Sequence, residues 1–130
     1  MKDDLMVQEQ VANVWQHMVG VMCLNLTSRK QVKSVLPELF QIYPNAERFL
    51  MGNISFQKKL LKPLGMVNIR TKRLRQMSED FLTWDYEDAT DLHGIGKYGS
   101  DSYRIFYKNE IPKNVEDKEL NRYLNDRRNT

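Results

Sequence analysis

The sequence predicts an all-α fold in a single domain, and three observations point that way. Apolar residues recur three and four places apart along most of the chain, the period of helices with one buried face. Cap and breaker residues cut those stripes into short helices joined by tight turns. Strand-like alternation occurs only over Tyr103–Tyr107, and a glycine-rich turn just upstream favours a helix there instead.

The elements follow in order. Val11, Val14, Trp15, Met18 and Met22 form one stripe, predicting a helix from about residue 8 to residue 24. Ser28 and Gln31 read as a capping box for a second helix, with Val32, Val35, Leu36, Leu39 and Phe40 on its inner face. Pro37 lies inside that stripe and should kink the helix or start a new turn. Tyr43-Pro44-Asn45 is a turn, with Asn45 capping a short helix over Ala46–Met51. Ser55 is the expected cap of another, Phe56–Leu61, and Pro63-Leu64-Gly65 ends it. A longer helix, about Asn68–Leu82, should turn Ile69, Leu74, Met77 and Phe81 inward. After a glycine-rich turn, Ser100–Tyr107 should be helical with Tyr103 and Phe106 buried. A polar loop over residues 108–117 precedes a last helix, Lys118–Arg128. Trp15 and Trp84 are expected in or near the core.

Composition narrows the function classes. With 130 residues there is room for one core and not two. No apolar run approaches the roughly 18 residues of a membrane span, so no membrane partner is expected. Met1-Lys2-Asp3-Asp4 is wrong for a secretory leader. The single cysteine, Cys23, excludes an internal disulfide and suggests a reducing, intracellular setting. Two histidines and one cysteine are too few for a structural zinc site, which takes about four N or S ligands. No metal or organic cofactor is expected. A formal net charge of +3 permits a nucleic-acid partner without demanding one.

The most informative stretch is Leu92-His93-Gly94-Ile95-Gly96-Lys97-Tyr98-Gly99. Glycines let the backbone take positive φ and approach a partner closely. The unpaired N–H groups of a following helix carry partial positive charge and suit a phosphate. Ile95 between the glycines would plug the turn into the core. Such a hairpin grips a nucleic-acid backbone without reading its sequence. A plain helix-turn-helix connection with incidental glycines is the competing reading. Arg70-Thr71-Lys72-Arg73-Leu74-Arg75 reads either as a solvated helix face or as a phosphate-facing one.

Leu92 to Phe106 closely resembles the hairpin of the helix-hairpin-helix DNA glycosylase superfamily, to which endonuclease III belongs, and most of all the glycosylase domain of the methyl-CpG-binding domain protein four type. Further segments match in order: Val7-Gln8-Glu9, Leu24-Asn25-x-Thr27-Ser28, Tyr43-Pro44-x-Ala46-Glu47, Leu60-Leu61-Lys62-Pro63-Leu64-Gly65, Glu116-Asp117 and Leu120-Asn121-x-Tyr123. The resemblance spans about residues 5–124. It implies one glycosylase-like domain over residues 1–130, with a helix-hairpin-helix at about 89–107 and a carboxylate loop and last helix at about 108–128.

The resemblance also implies a chemistry. A mispaired base leaves the stack, enters a pocket and is cut from its deoxyribose, with a carboxylate supporting the oxocarbenium-like sugar. Asp117 matches the carboxylate position. Read from the residues alone it is equally a helix N-cap, with Glu110, Glu116 and Glu119 as nearby rivals. Gln8 and Tyr98 match pocket positions. Lyase members place a lysine two residues after the second hairpin glycine. Tyr98 stands there, so base release without strand cleavage is implied. Gly94, Gly96, Lys97, Arg70, Lys72 and Arg73 would hold the DNA backbone, and Leu26 and Met66 would wedge the duplex. Leu26 stands where the family has arginine, and Lys118 where it has histidine. The implied function is a monofunctional thymine or uracil glycosylase acting on pairs with guanine. The implied partner is double-stranded DNA carrying a mispair, in the nucleus, with protein partners possible through a larger parent chain. The alternative is a catalytically inactive glycosylase-fold module that binds DNA or a protein in a chromatin complex.

Overall fold

Four short polar side chains decide where the first four helices begin. In the computed structural model, which describes residues 11–128, Asn13, Ser28, Asn45 and Asn53 each accept the N–H three residues ahead, at 2.8, 3.2, 2.9 and 2.9 Å. Each satisfies one of the amides that a helix start leaves orphaned. The helices are α1 (Val14–Cys23), α2 (Arg29–Ile42), α3 (Ala46–Met51) and α4 (Ile54–Leu61). They are followed by α5 (Val67–Leu82), α6 (Lys97–Tyr107) and α7 (Lys118–Arg128). Among the described residues there is no strand, as the helical period predicted.

Several expectations are corrected in detail. The helix carrying the Trp15 stripe starts at Val14, with residues 11–13 before it not helical; the expected start about residue 8 lies outside the described residues. Asn13 sets that start because its amide also donates to the Pro44 carbonyl at 3.1 Å, which pins it outside the helix. Asn53, not Ser55, caps α4, so the helix opens two residues early. α2 runs on through Pro37 as one element, with the ring on the exposed face where water can replace its missing bond. Ile69 is exposed, and the inner face of α5 is instead Arg70, Thr71, Leu74, Met77 and Ser78. α6 begins at Lys97 rather than Ser100, and on it Ile105 is more deeply buried than Phe106.

Trp15, Met18, Leu39, Phe49, Leu61 and Met77 anchor the main core, where the Trp15 indole N–H donates to Ser78 Oγ at 3.0 Å. Trp84 lies at its edge. A smaller cluster of Ile105, Leu120 and Leu124 seats α7 on α6, and Phe106 packs on Tyr123 with ring centroids 4.5 Å apart. Tyr98 touches both clusters.

His17 joins α1 to α6 from inside. It is fully buried, with Nε2 2.6 Å from Ser102 Oγ and the rings of Phe106 and Tyr107 around it. Its Nδ1 has no hydrogen-bond partner among the described residues. Burial pushes its pKa down to about 3, because a charged imidazole there would be desolvated.

Candidate functional site

The glycine hairpin is seated by three contacts. Asp80 Oδ2 at the end of α5 accepts the His93 N–H at 2.9 Å. The Ile95 N–H donates to the Leu92 carbonyl at 3.1 Å, closing the turn with Ile95 buried. Gly94 has φ +80°, and a Cβ there would stand 2.8 Å from Met22 Cε at the end of α1. The arm before the hairpin is a single 3-10 turn, Ala89–Asp91. The arm after it is α6, whose N-cap Gly96 offers no side chain. A Cβ on Gly96 would meet nothing within 4 Å, so the first turn of α6 opens outward.

Two apolar tips flank this start. Leu26 (φ 59°) is 79% exposed and Met66 (φ 49°) is 52% exposed. Left-handed backbone costs a non-glycine residue about 1–2 kcal/mol. An exposed apolar side chain held in that conformation combines two costs, and such combinations concentrate at functional positions. Two backbone bonds shape the first tip, Asn25 N–H to Met22 O and Thr27 N–H to Leu24 O. Gly65 (φ 73°) leads into the second.

Asp117 caps α7. Its Oδ2 accepts the Leu120 N–H at 2.9 Å, and its carbonyl accepts the Asn121 N–H at 3.1 Å. The N-cap reading is therefore true of the geometry. It does not exclude a second role, because a carboxylate has further lone pairs. Two rivals are engaged elsewhere: Glu110 meets Arg104 Nε at 2.8 Å, and Glu119 bridges Arg29 at 2.6 Å and Arg122 at 3.1 Å. Glu116 is exposed.

A cavity of about 570 Å³ brings these parts together. Asp117, Tyr98, Gly94, Gly96, Lys97, Leu26, Met66, Arg70 and Arg73 all line it. Asp117 is the one carboxylate among the described lining residues. Met22, Asn25 and Ile69 also line it and were not expected as site residues. Ile69 carried no signal because helical periodicity assigned it to the core. Lys72 is exposed and outside the lining. Gln8 lies outside the described residues.

The cations divide. Lys97 Nζ lies 2.8 Å from the buried Asp101 carboxylate, one turn along α6. Arg73 is exposed at the rim. Arg70, expected to face phosphates, is instead turned inward at 8% exposure. Its donors reach the carbonyls of Gly65 (2.9 Å), Asn25 (2.7 Å) and Cys23 (3.5 Å). The physical reason is position: one turn into α5, it faces the end of α1. Arg75 likewise serves structure, donating to the Phe49 and Leu50 carbonyls that end α3. Burial pushes the Cys23 thiol up to about 12, with Arg70 pulling the other way, which disfavours the thiolate. Among the described residues no group of three His, Cys, Asp or Glu side chains forms a metal site, and no helix is long and apolar enough to cross a membrane.

No protein-family model matches the chain. In sequence it is similar to methyl-CpG-binding domain protein 4-like protein from Arabidopsis thaliana, 33% identical over 79% of this chain and 23% of that protein. It is also similar to thymine/uracil-DNA glycosylase from Pyrobaculum aerophilum, 27% identical over 66% of this chain and 40% of that one. The chain thus spans less than half the length of these relatives. Its fold matches the solved structure of a thermostable thymine-DNA glycosylase with a TM-score of 0.74, at 18% identity over 82% of this chain and 52% of that one.

Proposed function

We propose, from the premise that this chain has the helix-hairpin-helix DNA glycosylase fold and is related to methyl-CpG-binding domain protein 4-like protein and thymine/uracil-DNA glycosylase, that it is a monofunctional DNA glycosylase for thymine or uracil paired with guanine. One observation carries the reading. Among the described residues the 570 Å³ cavity has a single carboxylate in its wall, an uncapped helix start beside it and two exposed apolar tips at its rim.

In this reading the hairpin and the first amides of α6 hold a phosphate of the damaged strand. Leu26 and Met66 enter the duplex and fill the space of the base that leaves the stack. The base enters the cavity beside Tyr98. The bond between C1′ and the base nitrogen then breaks, with the electron pair leaving on the base. Asp117 stabilises the positive charge that develops on the sugar and orients the water whose oxygen adds to C1′. The water's proton passes to the solvent or the departing base. Strand cleavage would need an amine on C1′. Tyr98 has none, and Lys97 is held by Asp101. The substrate is double-stranded DNA with a mispair, and the setting is the nucleus. A parent chain longer than these 130 residues would supply any protein partners.

The test is single-turnover base release on a duplex with one central G·U or G·T pair, with alkali to reveal abasic sites. Release by the wild type and its loss in Asp117→Asn is the expected result. Strand breaks without alkali would overturn the monofunctional assignment. No release at high protein concentration would favour a non-catalytic DNA- or protein-binding module.

A further inference from the structure

We infer, on the glycosylase reading, that Arg70 is a positioning residue that ties Leu26 and Met66 into one two-pronged wedge, so that the tips enter a duplex as a unit. The geometry is paired. Arg70 Nη2 donates to the carbonyl of Asn25, the residue before Leu26, at 2.7 Å. Its Nε donates to the carbonyl of Gly65, the residue before Met66, at 2.9 Å. A longer bond of 3.5 Å runs from Nη1 to the Cys23 carbonyl at the end of α1. The Arg70 backbone N–H donates to the Met66 carbonyl at 2.9 Å, so both peptide groups around the second tip are held by this one residue.

Arginine suits this task and lysine does not. A planar guanidinium presents donors in a fixed fork, so two carbonyls from two loops acquire a fixed separation. The side chain is 8% exposed, and a charged donor in such a place makes hydrogen bonds stronger than those at the surface. Both tips have left-handed backbone, which persists only where the surroundings over-determine it. One buried group over-determines both. A loop that moved alone would break a charged bond and leave a buried donor unpaired.

The experiment is a double-mutant cycle read by base unstacking, not by catalysis. Leu26→Ala, Met66→Ala and the double variant are mixed in excess with a duplex carrying 2-aminopurine beside a central G·U pair, and fluorescence reports unstacking. Base release by the wild type is measured alongside. The expected result is non-additivity of about tenfold between the two tips, the size seen for groups sharing a partner. In an Arg70→Lys background the two losses should become additive. Amide hydrogen exchange should then rise together in residues 24–28 and 65–67. The first cycle leaves Arg70 in place, so it holds even if Arg70→Lys unfolds. Additive losses in the native background, in a protein that does release base, overturn the coupling alone. A wild type that neither unstacks nor releases base overturns the glycosylase reading and the coupling with it.

Discussion

Arg29 and Glu119 lie 90 residues apart in the chain and meet at 2.6 Å, Nη1 to Oε2. Arg29 opens α2 just after the Leu26 loop, and Glu119 stands in the first turn of α7, two residues past Asp117. The small cluster around Ile105, Leu120 and Leu124 also anchors α7. The pair therefore links the start of α2, just after the Leu26 loop, to the start of α7, just after Asp117, and in the proposed mechanism it helps hold the proposed wedge tip and carboxylate relative to each other. A half-exposed ion pair is worth about 1 kcal/mol at most, so neither Arg29→Gln nor Glu119→Gln should unfold the protein. Each should slow base release about fivefold with duplex affinity unchanged, because misplacing a catalytic group costs rate first. The double variant should be no slower than either single one. Additive losses in single-turnover kinetics would rule out the pair as the tie.

Asp117 is the observed cap of α7 and, in the proposed mechanism, the catalytic carboxylate, and substitution can separate the two roles. Asparagine keeps an acceptor for the Leu120 N–H and is as good an N-cap as aspartate. Asp117→Asn should melt within a few degrees of the wild type while base release falls about a hundredfold to a thousandfold. Asp117→Ala should lose about 1 kcal/mol of stability as well, the usual cost of an N-cap. Thermal unfolding beside single-turnover release tests both. An active Asp117→Asn would remove the carboxylate from the mechanism.

His17 should make the fold acid-sensitive. Burial holds its native pKa near 3, below the usual 6.5, so between those values the unfolded chain binds the proton and the native one does not. Its contribution is fully present above pH 6.5 and falls by about 1.4 kcal/mol per pH unit as the pH drops toward 3. Urea unfolding between pH 6.5 and pH 5 isolates it, since carboxylates titrate mostly below about 5. His17→Gln should flatten the slope in that window. An unchanged slope would mean that the proton goes elsewhere.

Gly99 faces Ile95 and α1 at close range. A Cβ there would stand 2.6 Å from Ile95 Cγ2 and 3.2 Å from Val21 Cγ1. Gly99→Ala should therefore destabilise by about 1–3 kcal/mol through overpacking, outweighing alanine's gain of about 1 kcal/mol in a helix. Ile95 plugs the hairpin into the core, so duplex affinity should fall along with the melting temperature. A variant at least as stable as the wild type would show that Ile95 has room to yield.

Much of this molecule was legible in its sequence because the signals are local. Asn45 and Ser28 cap within three residues, Gly94 needs positive φ, and the stripe around Trp15 buries one face of its helix. A period also misleads where a cavity replaces the core. Ile69 fits the inner stripe of α5 but lines the open cavity, and Arg70 beside it takes the buried position.

The sequence alone determined the helices and the glycine hairpin that leads into one, since each depends on neighbours a few residues away; it singled out Asp117 as a carboxylate only through the family resemblance, its own residues reading equally as an N-cap. Only the tertiary structure decided that Arg70 faces the carbonyls behind two tips and not a phosphate. It also decided that Glu119 is engaged while Asp117, alone among the described carboxylates, lines the cavity. Those outcomes hang on contacts between residues 45 and 90 places apart, and the partner a charged side chain reaches is fixed by where helices cross, which no local pattern encodes.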